Sequence, residues 1–369
     1  MKITDVTVTL FQWDDIPATS YNRHTGIFGG TSEMGLVTIH TDEGLEGHAF
    51  LGSALDGAHA DGPDFIRHLK PLLMERNPLD RERLYDDLCH RNRAVAWRAI
   101  GAADIALWDL AGKAAGLPVH QLIGTYRHSV PAYASSALLP SKEAYAEEAV
   151  RIKEAGWAAY KIHPPTRWAE DIEVCRAVRQ AVGDDYRVML DSTWSYSFQH
   201  AIRVGRAIEE LGFYWYEDPL ADDDIYNCVK LREKLNIPLM ATEYSPGGFT
   251  AYVPWIMMRA TDYLRGDVAV KGGITGILKT AHLAEAFGMN YEVHHGGNSH
   301  NNWANLHVIA AIPNTEFFEV LLPADAQKYG LVEDLSPDSD GLVYPPSRPG
   351  IGAEIDFDLI KRKQTAILS

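Results

Sequence analysis

Cysteine is scarce in this chain. Three occur in 369 residues, at Cys89, Cys175 and Cys228, widely spaced and odd in number. That excludes a disulfide scaffold and a cysteine-built zinc site, and it suits a reducing cytoplasm. Long apolar runs are missing too: no stretch approaches the ~18 residues of a transmembrane span. The opening MKITDVTVTLFQW alternates like a strand and has no charged segment followed by an apolar one, so secretion is not expected. Clusters of Lys and Arg are absent, and the net charge is −16, which argues against a nucleic-acid partner. The glycine-rich stretches LRGDVAVKGGITG and HHGGN lack the spacing of a phosphate cradle. No low-complexity segment appears.

What is present is a regular set of acids. Asp191 closes YRVMLD, Glu217 stands near the end of FYWYED, and Glu243 closes IPLMATE, each 26 residues from the next. That interval is about one strand plus one helix. A barrel of parallel strands carries equivalent strand ends to one rim, where three such acids converge. A single acid at a strand end commonly caps the next helix. Three at equal spacing are better explained by a divalent cation among them, and all-oxygen donors favour Mg²⁺. A bound cation also inverts the local field, so overall acidity does not exclude an anionic substrate.

The surrounding pattern fits such a barrel. Residues 131–135, 158–163, 187–191, 213–217, 238–242, 263–267, 290–294 and 316–320 read as strands, with amphipathic helical stretches between them. The chain before them reads as α+β: strands at 2–11 and 34–50 with a turn at Asp42-Glu43-Gly44, and helices at 63–75, 78–92 and 94–115. Residues 18–33 lack apolar periodicity and read as a mobile loop that closes over substrate; 50–60 is a second specificity loop. The predicted division is a capping domain over 1–125, a barrel over 126–320, and a loop-rich tail over 321–369 that packs back on the cap.

Other polar residues fall at the same rim. Lys161 and His163 lie two apart in AAYKIHPP and so share a strand face. Asp267 ends the sixth candidate strand, His294 and His295 the seventh, and Glu319 the eighth. In this ordered set the chain resembles the enolase superfamily, and within it the mandelate racemase group. The resemblance runs over nearly the whole length. It implies a modified TIM barrel of (β/α)7β type under an α+β capping domain, with Asp191, Glu217 and Glu243 as Mg²⁺ ligands. It also implies an Asp267–His294 dyad, with Glu319 on the eighth strand; the spacing from Gly272-Gly273 selects His294 rather than His295. One departure stands out. Mandelate racemase has Lys-x-Lys on its second strand, whereas this chain has Lys161-Ile162-His163, and a histidine there resembles galactonate dehydratase.

The expected chemistry follows. A proton α to a carboxylate becomes removable when the enediolate oxygens are stabilised as charge develops. His294 is the expected base, oriented by Asp267. His163 stands on the opposite face, with Lys161 lowering its pKa or binding the substrate carboxylate. Glu319, if protonated, donates to the second carboxylate oxygen. Two outcomes are open: loss of water from a sugar acid to give a 2-keto-3-deoxy acid, or racemisation or epimerisation of an α-substituted acid. The histidine on strand two and the polar residues Tyr21, Asn22, Arg23 and His24 favour dehydration. Tyr21, Arg23, His24, Trp194 and His295 are candidate substrate contacts. His282, His300 and His307 read as structural. A small carboxylate substrate and a homo-oligomer are expected, with neither nucleic acid nor membrane as partner.

Overall fold

Alternating burial along the first strands folds them into an antiparallel sheet. β1 (Ile3–Thr19), β2 (Phe28–Thr41) and β3 (Glu46–Leu51) pair in sequence, and the sheet order is β13-β1-β2-β3 with the C-terminal strand β13 (Gln364–Leu368) on the outer edge. The computed structural model describes residues 1–369 except Pro246. Both long strands extend into the segment expected to be a loop. Ile16 pairs with Gly30 and Thr19 with Phe28 through irregular register, which leaves only residues 20–27 as the connection. Bulges break strict alternation, so the extension leaves no period-two signal. The tail also departs from a loop-rich reading, since it holds a helix, Phe357–Lys363, as well as β13.

The helix Trp97–Ala115 is apolar on nearly every face and packs against both the sheet and the barrel. Gly116 ends it in the left-handed region at φ 68°, donating to the Gly112 and Lys113 carbonyls. The helix expected at 63–75 spans Gly62–Leu73 and includes one π turn, Phe65–Leu69. The next is shorter than expected, Arg81–Cys89.

Eight parallel strands follow: β4 (Val130–Ser135), β5 (Ala159–Ile162), β6 (Arg187–Asp191), β7 (Tyr216–Glu217), β8 (Leu239–Ala241), β9 (Tyr263–Gly266), β10 (Asn290–Val293) and β11 (Phe318–Leu321). Their ladder runs β10-β9-β8-β7-β6-β5-β4-β11, a nearly closed barrel, while the short β12 (Leu342–Val343) pairs antiparallel with β4. Ser141, Ser197, Asp224 and Asn298 cap barrel helices, each accepting from the amide three residues on. These caps begin helices within eight residues of the strand ends. No helix among the described residues is long and apolar enough to cross a membrane.

The cap meets the barrel at its C-terminal rim. Ser20 accepts from the Leu138 amide at 2.8 Å, and the Tyr21 hydroxyl donates to the Leu322 carbonyl at 3.0 Å. Asn298 donates to the Gly52 carbonyl at 3.0 Å. The 20–27 turn and the segment after β3 are thereby held over the barrel mouth.

Candidate metal and proton-transfer site

Alternation along the strands builds the site. Met189 and Trp215 point into the barrel among other apolar side chains, so Asp191 and Glu217, two residues on, also point inward. One carboxylate oxygen from each of Asp191, Glu217 and Glu243 lies within 4.8 Å of the others. All three side chains are buried or nearly so. Non-glycine residues in the left-handed region crowd around them: Thr193 (φ 44°), Trp194 (φ 61°), Asp218 (φ 43°) and Thr242 (φ 90°). Such backbone costs energy and persists where the surroundings enforce it.

Two buried cations thread the acids. Lys161 Nζ lies 3.0 Å from Asp191 Oδ2, 3.1 Å from both Glu217 oxygens and 2.9 Å from Glu319 Oε1. Arg265, fully buried, places Nε 2.5 Å from Glu217 Oε1 and 3.2 Å from Glu243 Oε2, and its Nη2 donates to Glu319. Burial and Arg265 oppose the charge on Lys161, but Glu217 and Glu319 outweigh them and raise its pKa. Four carboxylates against two fixed cations leave two negative charges, which one divalent cation balances. Burial pushes the Glu217 carboxyl up to about 7, against the pull of Arg265 and Lys161. Further positive charge is what keeps such a group ionised at neutral pH. The donor set and its charge therefore fit a hard divalent ion.

An imidazole stands at each end of the acid row. His163 Nδ1 donates to the Ser136 carbonyl at 2.6 Å, and its Nε2 lies 3.1 Å from Asp191 Oδ2. His294 Nδ1 donates to Asp267 Oδ2 at 2.5 Å, and its Nε2 lies 3.3 Å from Glu243 Oε1. Asp267 is itself fixed by the Ala269 and Val270 amides at 2.7 and 2.8 Å. In both rings the bond at Nδ1 leaves Nε2 toward the acids. Burial disfavours the His294 cation, yet Glu243 and Asp267 outweigh it and raise the ring to about 9.

Several expected residues sit differently. Burial alone favours a protonated Glu319, but Arg265 and Lys161 overcome it and hold the carboxyl well below its usual range. The proton-donor role expected for Glu319 is thus opposed by two cations that clamp it. Lys161 faces three carboxylates, those of Asp191, Glu217 and Glu319, at the floor of the cavity. His295 sits in the seam between β10 and β11: its amide donates to Glu319 Oε2 at 3.0 Å and its Nδ1 accepts from the Glu319 amide at 3.3 Å. It helps to close the barrel and does not line the cavity.

That cavity, about 540 Å³, opens above the acids beneath the cap. Tyr21, His24 and Trp194 line it, and Asn22 does too, whereas Arg23 lies outside the lining with an exposed side chain. The Tyr21 ring packs 5.2 Å from His163 and its hydroxyl accepts from Gln327 at 2.9 Å. Tyr244 packs 6.4 Å from His294 and edge-on to Trp194, whose Nε1 donates to Asp218 Oδ2 at 3.0 Å.

Residues 144–359 match the family described as enolase C-terminal domain-like, and residues 20–124 match the mandelate racemase / muconate lactonizing enzyme N-terminal domain. This chain belongs to the mandelate racemase / muconate lactonizing enzyme family. As a member of that family it is similar to a solved D-glucarate dehydratase from Agrobacterium tumefaciens complexed with magnesium. The two are 35% identical with a TM-score of 0.88, over 99% of this chain and 100% of that one. It is 31% identical to L-talarate/galactarate dehydratase of Salmonella typhimurium over 86% of this chain and 79% of the relative. It is 30% identical to N-succinyl-L-Arg/Lys racemase of Bacillus cereus over 72% and 73%. The residues that sequence reasoning missed in this family member are Arg265, Asp218, Asp222 and Tyr244. Arg265 was findable: it precedes Asp267 by two on one strand, so both face inward.

Proposed function

We propose that the protein is a Mg²⁺-dependent enzyme that abstracts the proton α to a carboxylate, and that it dehydrates a sugar acid to a 2-keto-3-deoxy acid. The observation that carries this reading is the row of three acids with an imidazole Nε2 at each end. A Mg²⁺ ion held by Asp191, Glu217 and Glu243 supplies Lewis-acid stabilisation to the carboxylate oxygens of the substrate. His294 in its neutral form, which neutralisation of the Glu243 charge favours, takes the α-proton at Nε2, and Asp267 fixes its tautomer and stabilises the imidazolium that results. His163, held at Nδ1 by the Ser136 carbonyl, delivers a proton from Nε2 to the β-hydroxyl that leaves. Lys161 and Arg265 hold the acids in place and keep Glu319 ionised. The Tyr21 ring covers His163, and the cap turn at 20–27 limits the entry of water. Asn22, Thr25, Ser53 and Gln327 in the cavity lining are hydrogen-bonding groups suited to a hydroxylated chain. The dehydratases among the relatives support the same choice, and three free cysteines, two of them buried, support a cytoplasmic setting.

Incubation with a stereochemically broad panel of sugar acids and Mg²⁺, trapping 2-keto products as semicarbazones, tests this directly. Absence of product across the panel would remove dehydration. The second reading, racemisation or epimerisation, draws support from the two imidazoles presenting the same nitrogen to opposite ends of the acid row. Proton NMR in D₂O separates the two: α-hydrogen exchange with inversion and no loss of water selects the second.

A further inference from the structure

Glu243 is out of phase with its own strand. Met240 lies in the apolar interior of the barrel with Met189 and Trp215. Glu217 is level with Met240 in the β7–β8 ladder. Asp191 and Glu217 each follow an inward side chain by two residues, but Glu243 follows Met240 by three. In regular strand geometry an odd step points outward. The break occurs at Thr242, whose φ of 90° lies in the left-handed region that a β-branched residue avoids. Something must hold that conformation.

Asp222 does so. Its carboxylate is buried in the connection after β7, with Oδ1 accepting from the Thr242 amide at 2.9 Å and Oδ2 from the Tyr244 amide at 2.7 Å. One carboxylate thus grips the backbone on both sides of Glu243. It does not cap the helix that follows, because Asp224 fills that position. Thr242 Oγ1 also accepts from the Arg265 amide at 3.0 Å, and Lys271 Nζ donates to the Ser245 carbonyl at 2.5 Å, so the turn is tied to the sixth strand as well.

We propose that Asp222 is a positioning residue for the third metal carboxylate: by chelating the amides of Thr242 and Tyr244 it enforces the strained turn that aims Glu243 at Asp191 and Glu217. This rests on the reading of those acids as a Mg²⁺ centre. Asp222→Asn is nearly isosteric but keeps only one acceptor oxygen, and its amide group faces an N–H. Calorimetric titration with Mg²⁺ is expected to show affinity lower by between about tenfold and a hundredfold. The KM for Mg²⁺ is expected to rise while kcat at saturating Mg²⁺ is largely recovered. A variant that loses thermal stability yet binds Mg²⁺ within about twofold of wild type overturns the proposal, since a purely structural residue behaves that way. Hydrogen exchange on the unaltered protein gives a check free of folding defects. The Thr242 and Tyr244 amides are expected to be protected, and exchange as fast as exposed loop amides overturns the assignment. Failure of wild type to bind Mg²⁺ at all overturns the metal reading itself, and is thereby distinct from failure of Asp222.

Discussion

Two layers inside the same barrel, two residues apart along each strand, do opposite things. The lower layer is Tyr133, Met189, Trp215 and Phe317, an apolar plug joined by edge-on aromatic contacts. The upper layer is Ser135, Asp191, Glu217 and Glu319, which the same strands turn toward the cavity. In the plug, burial itself is favourable, and each side chain gains by exclusion of water. In the upper layer burial is costly to the three carboxylates, and the charges of Lys161 and Arg265 offset it. One polar link crosses between them: Trp215 Nε1 donates to Glu217 Oε2 at 3.1 Å. The lower layer thus aims one of the three clustered acids while it fills the core. The lesson is that alternation alone lets eight short strands carry both a stabilising floor and a destabilised, reactive surface.

The largest expected effect comes from removing one charge of the upper layer. Glu243→Gln keeps the shape but loses the third anionic ligand, and Mg²⁺ affinity by calorimetry is expected to fall by about a hundredfold or more, with turnover nearly abolished. Wild-type affinity in that variant would take Glu243 out of the centre. Next come the imidazoles, which sharpen the contrast by changing chemistry and leaving packing alone. His294→Asn and His163→Asn are each expected to lower kcat by about 10²–10⁴-fold. His294→Asn is expected to stop α-hydrogen exchange in D₂O, whereas His163→Asn retains exchange and loses product. Exchange surviving in His294→Asn would reverse the two roles.

These contrasts also show why the sequence was legible in part. The clustering of the three acids was visible because they stand at strand ends, and strand ends recur with the β/α period. Equal spacing concealed a difference, however: the third acid reaches the rim through a kink at Thr242, which no propensity announces. The ionisation of Glu319 was not readable either. It depends on two cations from β5 and β9 that meet it only in three dimensions. The cap hairpin was hidden for a local reason, since register shifts after Trp13 and Ile16 erase alternation where β1 and β2 overhang the barrel. His295, adjacent in sequence to His294, points into the seam because neighbouring strand residues face opposite ways.

Arg265 ties three acids of the site together, Glu217, Glu243 and Glu319. Arg265→Met removes the guanidinium from Glu217, Glu243 and Glu319 and leaves buried carboxylates without their partner, at a cost of about 3–5 kcal/mol in stability measured by urea unfolding without Mg²⁺. Added Mg²⁺ is expected to restore part of that loss, because a divalent ion replaces the missing positive charge. Arg265→Lys is expected to recover little, since one ammonium cannot reach carboxylates on opposite sides as a planar fork does. If Arg265→Met unfolds with the wild-type profile, the upper layer does not need its fixed cations.

The smallest effect tests whether partnered and lone buried carboxylates differ as argued. Asp104 is fully buried on the helix Trp97–Ala115 and accepts from the Thr275 amide and hydroxyl at 2.8 and 2.7 Å. Among the described residues no cation pairs with it, although Arg81 acts on it from farther off. Burial pushes the carboxyl up to about 7, with the Thr275 bonds pulling only partly against it. The folded pKa therefore lies above the unfolded one. Below about 4 both states hold the proton, and between about 4 and 7 only the folded state does. Stability contributed by this group falls as pH rises through that window and is constant above it. Asp104→Asn does not titrate. The stability of wild type relative to this variant is expected to be about 1–4 kcal/mol greater at pH 4.5 than at pH 8, by urea unfolding at both. An equal gap at the two pH values would mean that two hydrogen bonds suffice to keep a buried carboxylate charged, and that the cations of the upper layer exist for chemistry alone.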